Sequence, residues 1–369
     1  MKILIAVHSF LPAQGGIENH VYQLSKEFVA NSNSVLIITS SEKNTKKEEI
    51  IDGIKIKRFF KINCPFFSSV NFPILAFFEM LKQDPDIYVS HGYGSIMPIL
   101  SSLAAFIKRK PFVFTLHGYP EIKGKKRFFY YIYKLFMAPI FLNIAKKIII
   151  VSKASKSKIE QEVNQNKLIY IPNGVSEDFS CLEDYTKKNN ISYIGRLDED
   201  KQVHILINVF AKLKKRDKLG LLIVGKDEGV KTKLQNLAYK LNVDAKFLVL
   251  GYEKIKQAYC DSKLIVLPSR YEGFSLVWLE AMACGRPIFS SKVGDAEYIF
   301  KQAYKDKKDL FLFETEQELL EKLEYFLENE TNYIQTIKNA SEFVKKEYSW
   351  KKIGLQTLQI YKEVLENKK

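Results

Sequence analysis

The chain has 369 residues, of which 46% are apolar and 27% are charged, a composition that excludes a disordered chain and fits two domains. Its four cysteines, Cys64, Cys181, Cys260 and Cys284, lack the paired spacing of a disulfide scaffold or a Cys-rich zinc site, which favours a reducing compartment. The net charge is +15, and residues 1–180 carry most of the excess, with 24 basic against 14 acidic residues. Such an excess indicates either an anionic partner or a lysine-rich solvated surface.

Short apolar runs alternate with helical stretches along nearly the whole chain. Most runs are continuous Val, Ile, Leu and Phe segments, typical of strands buried on both faces of a parallel sheet, so the pattern predicts doubly wound α/β domains. The predicted strands are 2–7, 34–39, 55–60, 87–89, 112–116, 147–151, 168–171, 191–194, 219–224, 246–250, 264–267, 286–290 and 310–313. The end of the chain is predicted to be helical over 316–328, 333–347 and 351–367.

The turn signal Pro172-Asn173-Gly174, followed by a polar stretch, marks the predicted domain boundary. We predict one domain over 1–172 and a second over 173–349, with the final helix, 350–369, packing back on the first. The opening run 2–7 is too short for the apolar region of a signal peptide, and no uninterrupted apolar run could span a bilayer. We therefore expect a cytosolic protein.

Two signals lie in the first half of the chain. Gly15-Gly16 follows the first strand and precedes a helix, where bare amides and the helix dipole favour an anionic ligand, although a plain turn explains the pair as well. His117 follows a buried strand, at the carboxyl end where open α/β sheets place ligands. Its imidazole is a candidate donor to a sugar hydroxyl, and the alternative is a hydrogen-bonded structural histidine.

Two further signals lie in the second half. Arg196 and Lys201 follow the strand 191–194. The planar guanidinium group of an arginine and the ammonium group of a lysine at this spacing suit a diphosphate. The block 268–287 is the strongest signal: a buried strand, a polar loop containing Glu272, and a predicted helix 276–283 with Ser275 at its N-cap. Glu280 on that helix is a candidate acceptor for paired ribose hydroxyls.

Taken in order, these motifs resemble those of family 4 of the retaining nucleotide-sugar glycosyltransferases. They are Gly-Gly-x-Glu at 15–18, His-Gly at 117–118, Pro-Asn-Gly-Val at 172–175, Gly-Arg-Leu with a lysine at 195–201, and two glutamates inside 268–287. The resemblance covers about residues 1–300. It implies the GT-B fold, an α/β fold of two Rossmann-like doubly wound parallel-sheet domains that face each other across a cleft. The first domain would take the acceptor, and the second would bind the nucleotide-sugar.

The resemblance also implies roles for single residues. The implied catalytic residues are His117, which contacts the transferred sugar, Glu272, which contacts the sugar, and Arg196 and Lys201, which hold the diphosphate. Gly16 would offer an amide to the diphosphate or sugar, and Glu280 would contact the ribose. The implied donor-binding set is Gly16, Arg196, Lys201, Gly273, Phe274, Ser275 and Glu280. Departures from the family pattern at Gln202, at 225–229 and at Gly294-Asp295 leave the base and the sugar open.

Two Asp-x-Asp sequences match the pattern used by metal-dependent transferases. Asp84-Pro85-Asp86 precedes a strand at its amino end, which is the wrong edge of the sheet for a ligand. Asp198-Glu199-Asp200 lies between Arg196 and Lys201, and these two cations can neutralise a diphosphate without a divalent ion. We therefore predict no required metal and no other cofactor.

The segment 123–158 combines ten Lys and Arg residues with interleaved aromatic residues, and it contains no acidic residue. Basic residues with interfacial aromatics suit an anionic membrane surface. A partly buried helix with basic ends explains the same pattern, and both interpretations stay open at this point.

The preferred function is a retaining glycosyltransferase, a hexosyl transferase that moves a sugar from a UDP- or GDP-linked donor to a glycan or lipid-linked acceptor. The product would belong to a cell-surface polysaccharide or glycoconjugate, and we expect a cytoplasmic protein, peripheral on the inner face of the membrane. The alternatives are a nucleotide-sugar epimerase or phosphorylase on a similar fold, and a basic nucleic-acid-binding protein. We expect no nucleic-acid partner, because the two-glutamate block has no role in binding one.

Overall fold

The computed structural model describes residues 1–13, 15–42, 44–60, 62–63, 71–72, 74–119, 126–214 and 216–366. The chain forms two compact units. The first consists of Met1–Asn173 together with Trp350–Lys369, and the second is Gly174–Ser349. The division falls inside the Pro-Asn-Gly turn. None of the helices in the described ranges combines the length and the apolarity that crossing a bilayer requires.

The first unit is built on a sheet that is parallel except at one edge. Its strands run in the order β10-β9-β8-β7-β1-β2-β4-β3, and only β3 is antiparallel to its neighbour, while β5 and β6 form a separate pair. The strands are β1 (Lys2–Ala6), β2 (Ser34–Ser40), β3 (Glu48–Ile51), β4 (Ile54–Phe59), β5 (Ile62–Asn63), β6 (Asn71–Phe72), β7 (Ile87–His91), β8 (Phe112–Leu116), β9 (Lys147–Ile150) and β10 (Leu168–Tyr170).

Helices cover this sheet, and the C-terminal helix Trp350–Glu366 joins them by packing on α1. The helices before it are α1 (Gly16–Ala30), α2 (Ile74–Lys82), α3 (Met97–Ile107), α4 (Lys126–Ile132), α5 (Ala138–Ile144) and α6 (Lys156–Ile159), with a π-helical turn, Tyr133–Met137, between α4 and α5. Phe28 and Tyr361 meet edge to face, with ring centres 5.6 Å apart. A Cβ atom on Gly354 would lie 2.7 Å from the Cβ of Glu27, so glycine is what allows the two helices to approach this closely.

The second unit has an all-parallel sheet in the order β13-β12-β11-β14-β15-β16. Numbered within the unit this is 3-2-1-4-5-6, the strand order of the Rossmann fold, and the order reverses between β11 and β14. The strands are β11 (Asn190–Ile194), β12 (Gly220–Val224), β13 (Ala245–Leu248), β14 (Ser262–Leu267), β15 (Ile288–Ser291) and β16 (Leu312–Phe313). The helices are α7 (Val203–Lys212), α8 (Lys231–Lys240), α9 (Tyr252–Cys260), α10 (Leu276–Ala283), α11 (Ala296–Tyr304), α12 (Lys308–Phe311), α13 (Glu316–Asn329) and α14 (Ile334–Glu347).

The cysteines differ from what their spacing predicts. Cys181 and Cys260 form a disulfide, with their Cα atoms 5.4 Å apart, although 79 positions separate them in the sequence. Cys284 is free and buried, and Cys64 lies outside the described residues. The pairing was hidden because the fold, not a local motif, brings the loop at Cys181 to the end of α9. The disulfide removes the argument for a reducing compartment.

Candidate active site

Two polar loops leave neighbouring strands of the second sheet at the point where the strand order reverses. One follows β11 and carries Arg196, and the other follows β14 and leads into α10. Open α/β sheets bind their ligands at the carboxyl ends of strands at such a switch point. The Arg196 side chain is 60% exposed, and its Nη2 lies 3.5 Å from Oδ2 of Asp198. Its guanidinium is therefore accessible to an anion from solvent.

Lys201 and Glu272 come from these two different loops and form an ion pair. The distance between Lys201 Nζ and Glu272 Oε1 is 2.5 Å, and the side chains are only 15% and 10% exposed. The Ser269 hydroxyl donates to the same Oε1 at 2.9 Å. The structure thus brings together two of the predicted site residues, and each is the counter-ion of the other.

Lys201 is held by a short turn. The backbone amides of Asp200 and Lys201 donate to Oδ1 of Asp198, at 3.0 Å and 3.2 Å, which caps the 3₁₀ turn Glu199–Lys201. Gln202 follows in the left-handed region, with φ of 46°. Glycine adopts this conformation at the lowest cost, so Gln202, which departs from the family pattern, sits in a conformation that a side chain disfavours.

Gly294 fixes the loop that carries Glu272, a role that the sequence pattern does not show. Its φ is +56°, and an added Cβ would lie 2.3 Å from the carbonyl oxygen of Glu272 and 2.4 Å from that of Gly273. The Asp295 amide donates to the Gly273 carbonyl at 3.0 Å. The backbone after β15 therefore packs directly on the Glu272-Gly273 peptide, and no side chain fits between them.

The helix α10 begins at Leu276, as predicted. Ser275 has the extended backbone of an N-cap residue, but its side chain makes no capping hydrogen bond. Phe274 is buried, and its ring centre lies 6.2 Å from that of Trp278. Amides in the first turn of a helix have no partner inside it, so this end of α10 can donate to an anion.

Glu280 lies inside the second unit, not on its surface. It is 7% exposed, and the Tyr259 hydroxyl donates to its Oε2 at 2.6 Å. Burial raises the pKa of Glu280 to about 7, and the Tyr259 hydrogen bond opposes this rise. The core thus holds this carboxyl group through Tyr259. The contact of Glu280 to ribose stays a prediction.

In the first unit, His117 belongs to a cluster of three histidines. His117 follows β8, His91 ends β7, and His20 lies on α1. His91 Nδ1 and His117 Nε2 are 3.0 Å apart, and His20 Nδ1 is 2.8 Å from Oδ1 of Asn173. Burial lowers the pKa of all three imidazoles, that of His20 to about 4, so each is neutral at pH 7. The position of His91 at a strand's carboxyl end was the signal that could have found it.

Gly16 is the first residue of α1. The carboxylate of Glu18 folds back over this helix end: it accepts a hydrogen bond from the Ser9 hydroxyl, and a Cβ on Gly15 would lie 2.3 Å from its Oε2. A carboxylate already faces the positive end of this helix. An anion that approaches Gly16 therefore meets Glu18 as well.

The acidic residues of both Asp-x-Asp sequences have partners within the protein. Asp84 pairs with Lys110 at 3.0 Å, and Asp86 accepts the Lys2 amide at 2.7 Å. Asp198 caps the turn described above, and Asp200 pairs with Arg270. That transfer requires no metal remains a prediction.

Comparison with known proteins decides the family. The model described as "Glycosyl transferases group 1" matches residues 175–343, and the model "Glycosyltransferase Family 4" matches residues 14–179. The chain belongs to the group 1 glycosyltransferases. It is an enzyme that transfers glycosyl groups.

Relatives cover nearly the whole of this glycosyltransferase. An uncharacterized glycosyltransferase of Methanocaldococcus jannaschii is 27% identical over 99% of this chain and 99% of its own length. The GPI3 subunit of phosphatidylinositol N-acetylglucosaminyltransferase from Saccharomyces cerevisiae is 25% identical over 96% of this chain and 81% of its own.

Solved structures agree on the fold. Sucrose-phosphate synthase from Thermosynechococcus elongatus superposes with a TM-score of 0.79 at 18% identity, covering both chains completely. Anabaena HepE in complex with UDP-glucose superposes with a TM-score of 0.77 at 20% identity, covering 98% of this chain and 100% of its own. The predicted GT-B class with two Rossmann-like α/β domains is confirmed.

Proposed function

We propose that this glycosyltransferase is a retaining enzyme that moves a sugar from a UDP- or GDP-linked donor to a glycan or lipid-linked acceptor, for a cell-surface polysaccharide or glycoconjugate. The observation that carries the proposal is the grouping at the switch point of the second sheet: accessible Arg196, and Lys201 paired with Glu272. Similar folds have been solved with UDP and UDP-glucose, which supports a nucleotide-sugar donor. The yeast relative's name supports a lipid-linked acceptor.

The ion pair suggests how the donor is held. The donor diphosphate takes the place of Glu272 beside Lys201, and Arg196 reaches it from solvent. The backbone amides of Gly273, Phe274 and Ser275 directly precede the N-terminus of α10, and the helix dipole there favours the negative charge of the diphosphate.

The released Glu272 carboxylate can then accept a hydrogen bond from a hydroxyl of the sugar, and Glu280 accepts hydrogen bonds from the ribose hydroxyls. In the first unit, the Gly16 amide is proposed to donate to the diphosphate or sugar, and His117 is proposed to contact the transferred sugar.

The reaction breaks the bond between the anomeric carbon and the phosphate oxygen. The acceptor oxygen bonds to the same face of that carbon, and its proton passes to the departing phosphate. Catalysis rests on orientation and on stabilising the charge of the leaving diphosphate. Arg196, Lys201 and the α10 end supply positive potential for this, so a divalent metal is not needed.

The segment that links α4 to α5 supports contact with a membrane surface. One face is buried and consists of Tyr133, Ala138, Phe141 and Leu142, whereas the other exposes Phe128, Tyr131, Leu135 and Phe136 by 53–68%. The buried face fits a helix packed on the core, and the exposed face supports the proposed contact with a membrane. Lys123 and Lys125 lie outside the described residues. Together with the basic surface, the exposed aromatic and aliphatic side chains suit the anionic inner leaflet, where we place the enzyme.

The test is a panel of UDP- and GDP-sugars, with thermal shift to detect binding and product analysis to detect transfer. One donor should stabilise the protein, and transfer should proceed in excess EDTA. Arg196→Ala and Lys201→Ala should each lower kcat/KM by about 30- to 1,000-fold, because each removes about 2–4 kcal/mol of transition-state stabilisation.

Lys233→Ala is the matched control, since this lysine is 75% exposed and pairs only with Glu199 among the contacts described. Conversion of the donor without an acceptor would show an epimerase instead. Loss of transfer in EDTA, restored by Mg²⁺ or Mn²⁺, would overturn the metal-free mechanism.

A further inference from the structure

Three imidazoles converge at the carboxyl edge of the first sheet. His20 is 2% exposed and His91 is 1% exposed, while His117 is partly accessible. One ring nitrogen of each histidine lies within 4.8 Å of one from each of the others. The three residues are far apart in sequence, so the fold alone assembles them.

Their arrangement matches that of imidazoles around a small metal ion. Zinc–nitrogen bonds of about 2.0–2.1 Å in a tetrahedral site put ligand nitrogens about 3.3 Å apart and ring centres about 5 Å apart. Here His91 Nδ1 and His117 Nε2 are 3.0 Å apart. The ring centres are 5.5 Å apart for His20 and His91, 5.3 Å for His91 and His117, and 4.5 Å for His20 and His117.

The hydrogen bonds leave lone pairs for a ligand. His20 Nδ1 donates a hydrogen bond to Asn173 Oδ1, which leaves Nε2 of His20 with a free lone pair. Such an outer contact is typical of metal-binding histidines. His91 Nε2 is buried and has no hydrogen-bond partner among the described residues. It can take the proton that His91 Nδ1 shares with His117 Nε2, 3.0 Å away, so that both facing nitrogens present lone pairs to an ion.

We propose that His20, His91 and His117 bind one zinc-class divalent ion, with the fourth position open to water on the accessible His117 side. Three neutral histidines with an open position form a known donor set for zinc. The bound ion is not a cofactor for transfer. The ion coordinates a ring nitrogen of His117 and thereby inhibits transfer. This consequence, unlike the binding itself, rests on the proposed function.

Cobalt is the sharpest probe, because its spectrum distinguishes histidine from thiolate ligands. Co²⁺ is titrated into the chelator-stripped full chain, followed by competition with Zn²⁺ in calorimetry. One ion per chain is expected, with a tetrahedral ligand-field spectrum and no thiolate-to-cobalt band. His91→Gln and His20→Gln should weaken binding at least tenfold, and Asn173→Ala, which removes the outer contact to His20, should weaken it about 10- to 100-fold.

Two controls separate this site from other metal-binding groups. His204→Gln changes an exposed histidine of the second unit and should leave binding unchanged. Cys284→Ser changes the cluster of Cys181, Cys260 and Cys284, whose sulfur atoms also lie within 4.8 Å of one another, and should leave it unchanged too.

A thiolate band that disappears in Cys284→Ser, or the absence of a tetrahedral spectrum in the wild-type chain, overturns the proposal whether or not the histidine variants fold. Binding without inhibition overturns only the predicted role of His117 in transfer.

Discussion

Glu280 is a buried carboxyl group whose ionisation links stability to pH. Its pKa is about 7 in the folded chain, against 4.5 in the unfolded chain, so the folded state binds the proton more tightly. Between these values the folded state holds more protons than the unfolded state, and stability therefore falls as pH rises from about 4.5 to about 7. Well below pH 4.5 both states are protonated, so stability no longer changes with pH and is at its highest with respect to this group.

Glu280→Gln should abolish this dependence, because the amide keeps the Tyr259 contact and cannot ionise. Relative to wild type, the variant should gain up to about 3 kcal/mol of unfolding free energy between pH 5 and pH 8. Urea denaturation of both proteins at the two pH values measures the gain. A stability difference that is the same at pH 5 and pH 8 would contradict the assignment.

At this scale the sequence selects candidate site residues but does not show how they are paired. Strand ends and charge types select Lys201 and Glu272 from the sequence alone. Their ion pair joins loops 71 positions apart, and only the strand order brings those loops together. The same holds for the histidine cluster, of which the sequence analysis singled out only His117.

At the scale of elements, prediction succeeded where local chemistry decides the structure. Helix α10 spans Leu276–Ala283, as predicted. Its start follows from the apolar run after Ser275, and its end follows from Gly285. The strand β3 was missed because Glu48–Ile51 is short, charged at its start and exposed at alternate positions. Its signal was the Asp52-Gly53 turn, where both φ values are positive, 48° and 78°, as in a type I′ hairpin.

Two glycines allow the loop that carries Glu272 to be tested. Gly294 and Gly285 share a left-handed backbone, with φ of 56° and 64°, but an added Cβ clashes with the Glu272 and Gly273 carbonyls only at Gly294. Both alanine variants should lose about 1–2 kcal/mol of stability from the backbone conformation. Gly294→Ala must also shift the Glu272-Gly273 peptide, and we expect kcat/KM to fall at least tenfold.

Gly285→Ala is the matched control and should stay within about threefold of wild-type kcat/KM. Thermal melts and donor saturation kinetics of the two variants give both quantities. Equal losses of activity in the two variants would show that the contact with Gly294 does not position Glu272.

At the scale of the whole molecule, the charge of +15 and the exposed apolar side chains of the first unit both favour contact with an anionic membrane surface. Leu135 is 68% exposed and Phe136 is 66% exposed, and both lie in the π-helical turn between α4 and α5. Burying such a side chain in an interface contributes up to about 1.5–3 kcal/mol, and each nearby cation adds about 1 kcal/mol at an anionic surface.

The protein should therefore sediment with anionic vesicles at low salt and much less with neutral ones, because salt screens the attraction of the cations. Replacing Leu135 and Phe136 together by serine should weaken sedimentation at least tenfold and leave the thermal shift by the donor unchanged. Tyr239→Ser is the control: this tyrosine is 84% exposed on α8 in the second unit, and its loss should not change sedimentation. If the double variant sediments as well as wild type, these side chains do not meet the membrane. Equal sedimentation with neutral and anionic vesicles would show that the basic surface has no part in the contact.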